Sequence, residues 1–408
     1  MISRAEFLRL VAGAVPAELF SDRVFAQGAD PTRTRIAALI EAYDSQGIHR
    51  TATPVDDASA DWLRRLVAGA SARMVPFALE RIDVRAAHLD GGGRRIDGLP
   101  FFDGGFTGET GIVGTIGPPG SKAAIALVTL DQAAILTEGQ SIAELRRSGP
   151  HRAIVAVTKG GTPGLSPSNA RSFAKPFGVP VLQVGSEHQP MLDGLAADGR
   201  DVTLVASVGR KSTQGLNIVA SLAGGQPDLP PLVVMTPRSG WWQCASERGG
   251  GLACWMEVMR SLAAAKPARP TIFVASSGHE LGHFGLDAFL EAQPALIKSA
   301  AAWIHLGANI GAAGGDTRLQ ASDDAIEDMA LQALTGAGTA VRQRVPRGTV
   351  PGGEARNIHV GGGRYVSLLG NGPLFHNQKD RWPAAVDVDA VAQFARAVAS
   401  LAVVLTRA

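Results

Sequence analysis

Two hydrophobic periodicities alternate along the C-terminal half of the chain. Short apolar runs, "PLVVMTP", "TIFVASS", "AWIHLGANI" and "RYVSLLG", recur between longer stretches whose apolar residues fall three and four apart: "LACWMEVMRSLAAA", "LDAFLEAQPALIKSAA", "DDAIEDMALQALTGA" and "VDAVAQFARAVASLAVVL". Apolar runs of about four to eight residues bounded by Gly or Pro read as buried strands, and the longer stretches as helices with one apolar face. Strands separated by helices imply a mostly parallel sheet covered on both faces, an α/β fold of three layers. Groups that do chemistry are then expected at the carboxyl ends of the strands.

Upstream the pattern changes. From 31 to 74 it is helical: "TRIAALIEAY" and "DASADWLRRLVAGA" carry apolar residues at helical spacing, with Asp57 or Ser59 as the N-cap of the second. Between 75 and 209 short β-like runs, "AAIALVTL", "RAIVAVT", "VPVLQVG" and "DVTLVASVG", stand between Gly and Pro, with brief helical pieces "SIAELRRS" and "SNARSFAKPF". This stretch reads as a β-rich module inserted into a domain made of residues 31–74 and 210–408. Residues 1–26 put Arg4 and Arg9 around an apolar segment that ends at Val24, Phe25 and Ala26, a small-residue cleavage pattern. They resemble a worn twin-arginine export signal, with Ala5 where the second arginine belongs, which implies a periplasmic protein. Glu18, Asp22 and Arg23 suit the alternative, an amphipathic first helix on a cytoplasmic one.

The formal net charge is +2 over 408 residues, with no long run of one sign, which argues against a dedicated nucleic-acid surface. Beyond the N-terminus no stretch reads as a membrane span of ~20 apolar residues, so no membrane partner is expected. Only Cys244 and Cys254 are present, giving neither a disulfide framework nor a thiolate zinc site.

The stretch "GHELGHFG", Gly278 to Gly285, fits the H-E-x-x-H pattern of zinc proteases through His279, Glu280 and His283. That chemistry needs a helix, because only there do residues four apart present both imidazoles to one ion. Here the pattern follows a strand ending at Ser277, and Gly282 and Gly285 each disfavour helix by about 1 kcal/mol relative to Ala. No G-x-S-x-G elbow accompanies Ser239 or Ser246, and "GGTPG" and "GGGR" lack the spacing of a phosphate loop.

In order along the chain, the strand ends are "MTPRSGWWQCASERGGGLACW", "SSGHELGHFG", "IHLGANIG" and "GNGPLFHNQKDRWP". This order resembles the co-catalytic zinc aminopeptidase family, which includes bacterial leucyl aminopeptidases, aminopeptidase Y and, more distantly, glutaminyl cyclases. The resemblance runs from about Thr213 to the C-terminus and touches "GIHRTATPVDDASADWLRRL" near the start. It implies a three-layer α/β/α zinc-exopeptidase-like (phosphorylase/hydrolase-like) domain, with the inserted module where many members carry a protease-associated domain. By motif, the family's first His and Asp fall on Pro237 and Ser239, its bridging Asp on Glu247, its general-base Glu on His279, its third Asp near Gly307 and its closing His on His376. Glu280 retains the ligand position beside the base. Through the resemblance, "HEL" is the family's "EEL" with the first Glu changed, and His283 completes the five-residue pattern by coincidence.

Too few ligands remain for two metal ions. The resemblance therefore implies a divergent aminopeptidase-like hydrolase that cleaves a peptide-like or amide bond of a small substrate, at a site with one zinc ion at most or none. Glu247, Glu280 and His376 are the expected ligands, with His279 or His305 as substitutes. His279, oriented by Glu280, is the expected acid–base group. Arg238 and Arg248 are expected to anchor a substrate carboxylate, and Trp241 and Trp242 to wall the pocket. The alternative is a non-catalytic pseudo-peptidase that binds a peptide or small molecule in the old cleft. A third reading, H-E-x-x-H catalysis, requires His279 and His283 to converge within one ion's reach.

Overall fold

The structure is a computed structural model that describes residues 30–131 and 142–407; the proposed export segment, 1–26, lies outside them. Four strands, Thr271–Ser276, Leu232–Pro237, Ala302–Leu306 and Tyr365–Asn371, run parallel at its centre. On one side the antiparallel strand Asp316–Ala321 extends this sheet. On the other, Thr271–Ser276 pairs antiparallel with the end of the long strand Asp201–Leu222.

Alternation along the strands explains the layers. Leu232, Val234, Phe273, Ala275, Ala302 and Ile304 point into one core, shared with the helices Pro31–Asp44, Gly249–Ala265, Asp324–Gly336 and Val388–Arg407. Val233, Met235, Val274 and Trp303 point into the other, against Leu286, Phe289, Leu290 and Ile358 of the helices Phe284–Ala292 and Ala355–Val360. Both faces of the sheet are covered, as expected of a parallel sheet. Val388–Arg407 is long and apolar enough by length and composition to cross a membrane, a stretch the sequence reading passed over; its apolar face is packed in the first core.

Two strands of unusual length, Arg73–Gly91 and Asp201–Leu222, pair antiparallel over almost their whole extent and carry the chain out of this domain and back. Between them Ile112–Gly117 pairs antiparallel with Asp201–Leu222, and the parallel strands Ile125–Asp131, Ala153–Lys159 and Val181–Gly185 follow it in order, continuing the same hydrogen-bonded sheet with cores on both faces.

Some expectations shift. The second helix spans Pro54–Leu66 and its N-cap is Thr53, not Asp57 or Ser59, because Pro54 has its φ preset for a first helical turn. "SNARSFAKPF" forms turns instead of a helix, and "LDAFLEAQPALIKSAA" breaks at Pro294 into Phe284–Ala292 and Leu296–Ser299. "DVTLVASVG" and "LNIVASLAG" are the two ends of one strand.

Candidate functional site

The loops after the parallel strands meet the module's turn segment at 163–177. The Ala170 amide donates to the Glu280 carbonyl (2.7 Å), Trp241 Nε1 donates to Asn169 Oδ1 (2.9 Å), and His376 Nδ1 lies 2.6 Å from the Pro167 carbonyl. Backbone geometry here is exacting. Cys244, His283, Asn309 and His376 in these loops, and Ala52 in the turn between the first two helices, have φ between 56° and 68°, a region that non-glycine residues rarely occupy. Such conformations cluster where a structure holds functional groups in place.

Of the carboxylates and guanidiniums expected at the site, Glu247 and Arg248 pair with each other, while Arg238 and Glu280 have other partners. Arg248 donates from Nη2 to Glu247 Oε1 (2.6 Å) and from Nε to the Ser239 carbonyl (2.6 Å); both side chains are buried. His376 Nε2 lies 3.4 Å from the same Glu247 oxygen. Burial works to raise the Glu247 pKa, but the charge of Arg248 and then His376 hold it well below the usual carboxylate range. Asp380 accepts the amides of Ser246 (2.7 Å) and Glu247 (2.9 Å), and burial pushes its pKa up to about 7 against those hydrogen bonds. Arg238 donates to Asp56 Oδ1 (2.8 Å) and to the Asp56 carbonyl (3.0 Å), deep under the loops. Glu280, fully buried, accepts the Thr51 amide (2.7 Å) and the Ser239 hydroxyl (2.7 Å). Trp241 is packed in the junction between module and domain, edge-on to Phe102, and half-buried Trp242 donates to the His376 carbonyl.

His279 turns to a different partner. Its Nδ1 lies 2.7 Å from Glu354 Oε1, and the second oxygen of Glu354 lies 3.4 Å from Nε2 of His305, whose Nδ1 meets the Ser367 hydroxyl at 2.8 Å. His283 joins this group: its ring centroid is 5.1 Å from that of His279. Among the described residues, His279, His283 and Glu354 are the group of three whose ligating atoms lie within 4.8 Å of one another; Glu247, Glu280 and His376 form no such group. Burial, and then the charge of Arg248, lowers the His279 pKa to about 4 against the pull of Glu354, so its imidazole is neutral near pH 7. Burial also lowers that of His283. The Glu354 pKa is held below the usual carboxylate range: burial opposes this, but the interactions with His279 and His283 outweigh it.

The two histidines converge without a helix. His279–Leu281 is a single 3₁₀ turn between Gly278 (φ 89°) and Gly282 (φ 76°), and His283 itself is left-handed (φ 68°). This succession curls the chain back on itself, and the segment at 163–177 approaches Gly282 so closely that a Cβ there would lie 2.7 Å from the Arg171 Cα. The coincidence assigned to His283 is thus a spatial neighbourhood, while Glu280 faces away from it into its own hydrogen bonds. Glu354 carried no signal in the sequence, lying 75 residues beyond His279 at the start of a six-residue helix. His283 and Asn357 line an open cleft of ≈ 600 Å³ with Arg171, Asp287, Glu291 and Arg356.

No protein-family model matches the chain, and no curated protein matches it in sequence. Solved structures do match in fold. A "Peptidase M28 precursor" from Shewanella amazonensis superposes with a TM-score of 0.75 at 15% identity, covering 92% of this chain and 95% of that one. The Bacillus subtilis zinc aminopeptidase BSAP gives 0.70 at 15% identity over 91% and 93%, and an aminopeptidase from Aneurinibacillus sp. strain AM-1 gives 0.67 at 13% over 96% of each. The α/β zinc-aminopeptidase fold is therefore shared along nearly the whole chain.

Such a fold raises the question of a zinc pair at the resembled positions, and the residues there do not fit one. Pro237 has no ligating side chain, and Ser239 spends its hydroxyl on Glu280 and on the Gly278 amide. A Cβ at Gly307 would sit 2.6 Å from Leu369 Cδ1 and 2.8 Å from His305 Cε1, leaving no room for a carboxylate. Glu247 has its cation already in Arg248, so a guanidinium stands against the carboxylate that the resemblance maps onto the bridging ligand.

Proposed function

We propose that the chain is a divergent aminopeptidase-like hydrolase of a peptide-like or amide bond in a small substrate, and that its chemistry lies at His279 and Glu354 instead of at a zinc pair. The observation that carries this reading is the buried His279, its Nδ1 2.7 Å from the Glu354 carboxylate, behind a cleft of substrate size. A neutral imidazole paired with a carboxylate is a general base. In the proposed step His279 takes a proton from water as the water oxygen bonds to the amide carbon, and Glu354 stabilises the imidazolium. The same proton passes to the departing amine as the C–N bond breaks. Arg171 and Arg356 line the cleft together with Asp287 and Glu291, so it offers both signs of charge to a polar substrate. The export reading of residues 1–26 would put this reaction in the periplasm, which sequencing the N-terminus of the mature protein tests.

A second reading, a binding protein without turnover, draws on the saturation of Glu247 by Arg248 and of Glu280 by Thr51 and Ser239. A panel of aminoacyl and acyl amides separates the two. Turnover that is lost in His279→Ala and Glu354→Gln, with the fold intact by circular dichroism, supports the hydrolase. A panel bound but never cleaved supports the binding protein.

A further inference from the structure

We propose that His279, His283 and Glu354 form a binding site for one divalent transition-metal ion of the zinc type, separate from the positions that the family resemblance assigns to metal. The inference goes beyond the proposed function and does not rest on it: an ion held by His279 and Glu354 takes up the groups that the metal-free step uses as base and partner, and binding is measured without turnover.

The donor set is the first argument. Two imidazoles and one carboxylate, each at most 7% exposed, bring their ligating atoms within 4.8 Å of one another. A tetrahedral ion with bonds of about 2.1 Å holds its ligands roughly 3.4 Å apart, so small side-chain rotations close the site. Imidazole nitrogen with one carboxylate suits zinc and its neighbours; magnesium and calcium prefer oxygen throughout.

The second argument is the set of groups that hold the ligands. His283 Nδ1 donates to Asn357 Oδ1 (2.9 Å), and the Asn357 amide nitrogen donates in turn to Asp287, which fixes the orientation of Asn357. His283 is thereby left with its Nε2 lone pair free for an ion, the arrangement seen around metal-bound histidines. Glu354 is backed by His305, which is set by Ser367. The third argument is the backbone: left-handed Gly278, Gly282 and His283 within six residues serve to return His283 toward His279. His283 and Gly282 also line the cleft, which provides the entry path. Three protein ligands leave a tetrahedral ion one position for water.

The test uses the full chain, purified without a histidine tag and stripped with chelator. Zn²⁺ per chain is counted by elemental analysis after dialysis, and Co²⁺ is titrated for the visible absorption of a tetrahedral ion. The expected result is one ion per chain, lost in His283→Gln and in Glu354→Gln. Asn357→Leu, which leaves the three ligands in place but removes the acceptor of His283 Nδ1 and the hydrogen bond to Asp287, should weaken binding about 10–100-fold. His376→Asn and Glu280→Gln should still bind one ion. Failure of the wild-type chain to retain Zn²⁺, or loss of the ion in His376→Asn with retention in His283→Gln, would overturn the proposal. The two readings fail separately. No ion retained, with hydrolysis that needs His279, removes the metal site and keeps the hydrolase; one ion bound with no amide cleaved keeps the metal site and removes the hydrolase.

Discussion

Replacing Arg248 by Met is the sharpest probe of the pairing at the resembled zinc position. Arg248 and Glu247 are at most 1% exposed in their side chains, and the guanidinium makes hydrogen bonds of 2.6 Å to the Glu247 carboxylate and 2.6 Å to the Ser239 carbonyl. Removing it strands a buried carboxylate whose remaining neighbours are His376 Nε2 at 3.4 Å and the Cys244 thiol at 3.5 Å. Breaking a buried pair from one side costs about 3–5 kcal/mol. For a chain of this size, at about 2 °C per kcal/mol, Arg248→Met should lower Tm by roughly 6–10 °C. The double variant Glu247→Gln with Arg248→Met removes both charges and keeps similar volumes, so it should recover at least half of that loss. Thermal melts followed by circular dichroism at pH 7 complete the cycle, and a coupling of about 2 kcal/mol or more is expected. An Arg248→Met protein melting within about 2 °C of wild type, or a double variant no more stable than the single, would refute the reasoning.

Other expectations are independent of that pair. Gly250→Ala places a Cβ 1.9 Å from the Ile310 carbonyl, a backbone atom with little freedom to move, and should cost more than about 2 kcal/mol in urea unfolding or abolish soluble expression. Asp323 caps the helix Asp324–Gly336 through the Ile326 amide and pairs with Arg364 across a half-exposed surface; Asp323→Ala should cost about 1–2 kcal/mol at pH 7, mostly from the cap. The hydrogen bond from Arg364 comes first among the interactions that lower its pKa, to about 2. Its folded pKa is thus depressed, so the contribution is present above the unfolded value and is lost as pH falls toward 2. Melts of wild type and variant should converge across that window. Cys244 and Cys254 are buried and burial raises both thiol pKa values, so neither should react with a thiol reagent until the protein is unfolded.

Local signals carried much of the architecture. The four parallel strands and the helices Gly249–Ala265, Asp324–Gly336 and Val388–Arg407 were legible because a buried strand and an amphipathic helix each write their own period into a short window. Less legible were Thr53 as a cap and the turn at "SNARSFAKPF", where one proline or a contact across the fold outweighs propensity. At the candidate site the division is sharper. The loss of ligand types at Pro237, Ser239 and Gly307 can be read from their identities, since no fold makes an imidazole of a proline. Whether a retained charge is available cannot be read that way: Arg248 is consumed by its neighbour Glu247, and Arg238 by Asp56, 182 residues away. The approach of His279 to His283 depends on three left-handed residues, and their meeting with Glu354 depends on the packing of Ala355–Val360 against the sheet. By itself the sequence determined which groups the strand ends can offer; the tertiary structure decided which of them meet, because pairing energies depend on distance and burial and neither is local in sequence.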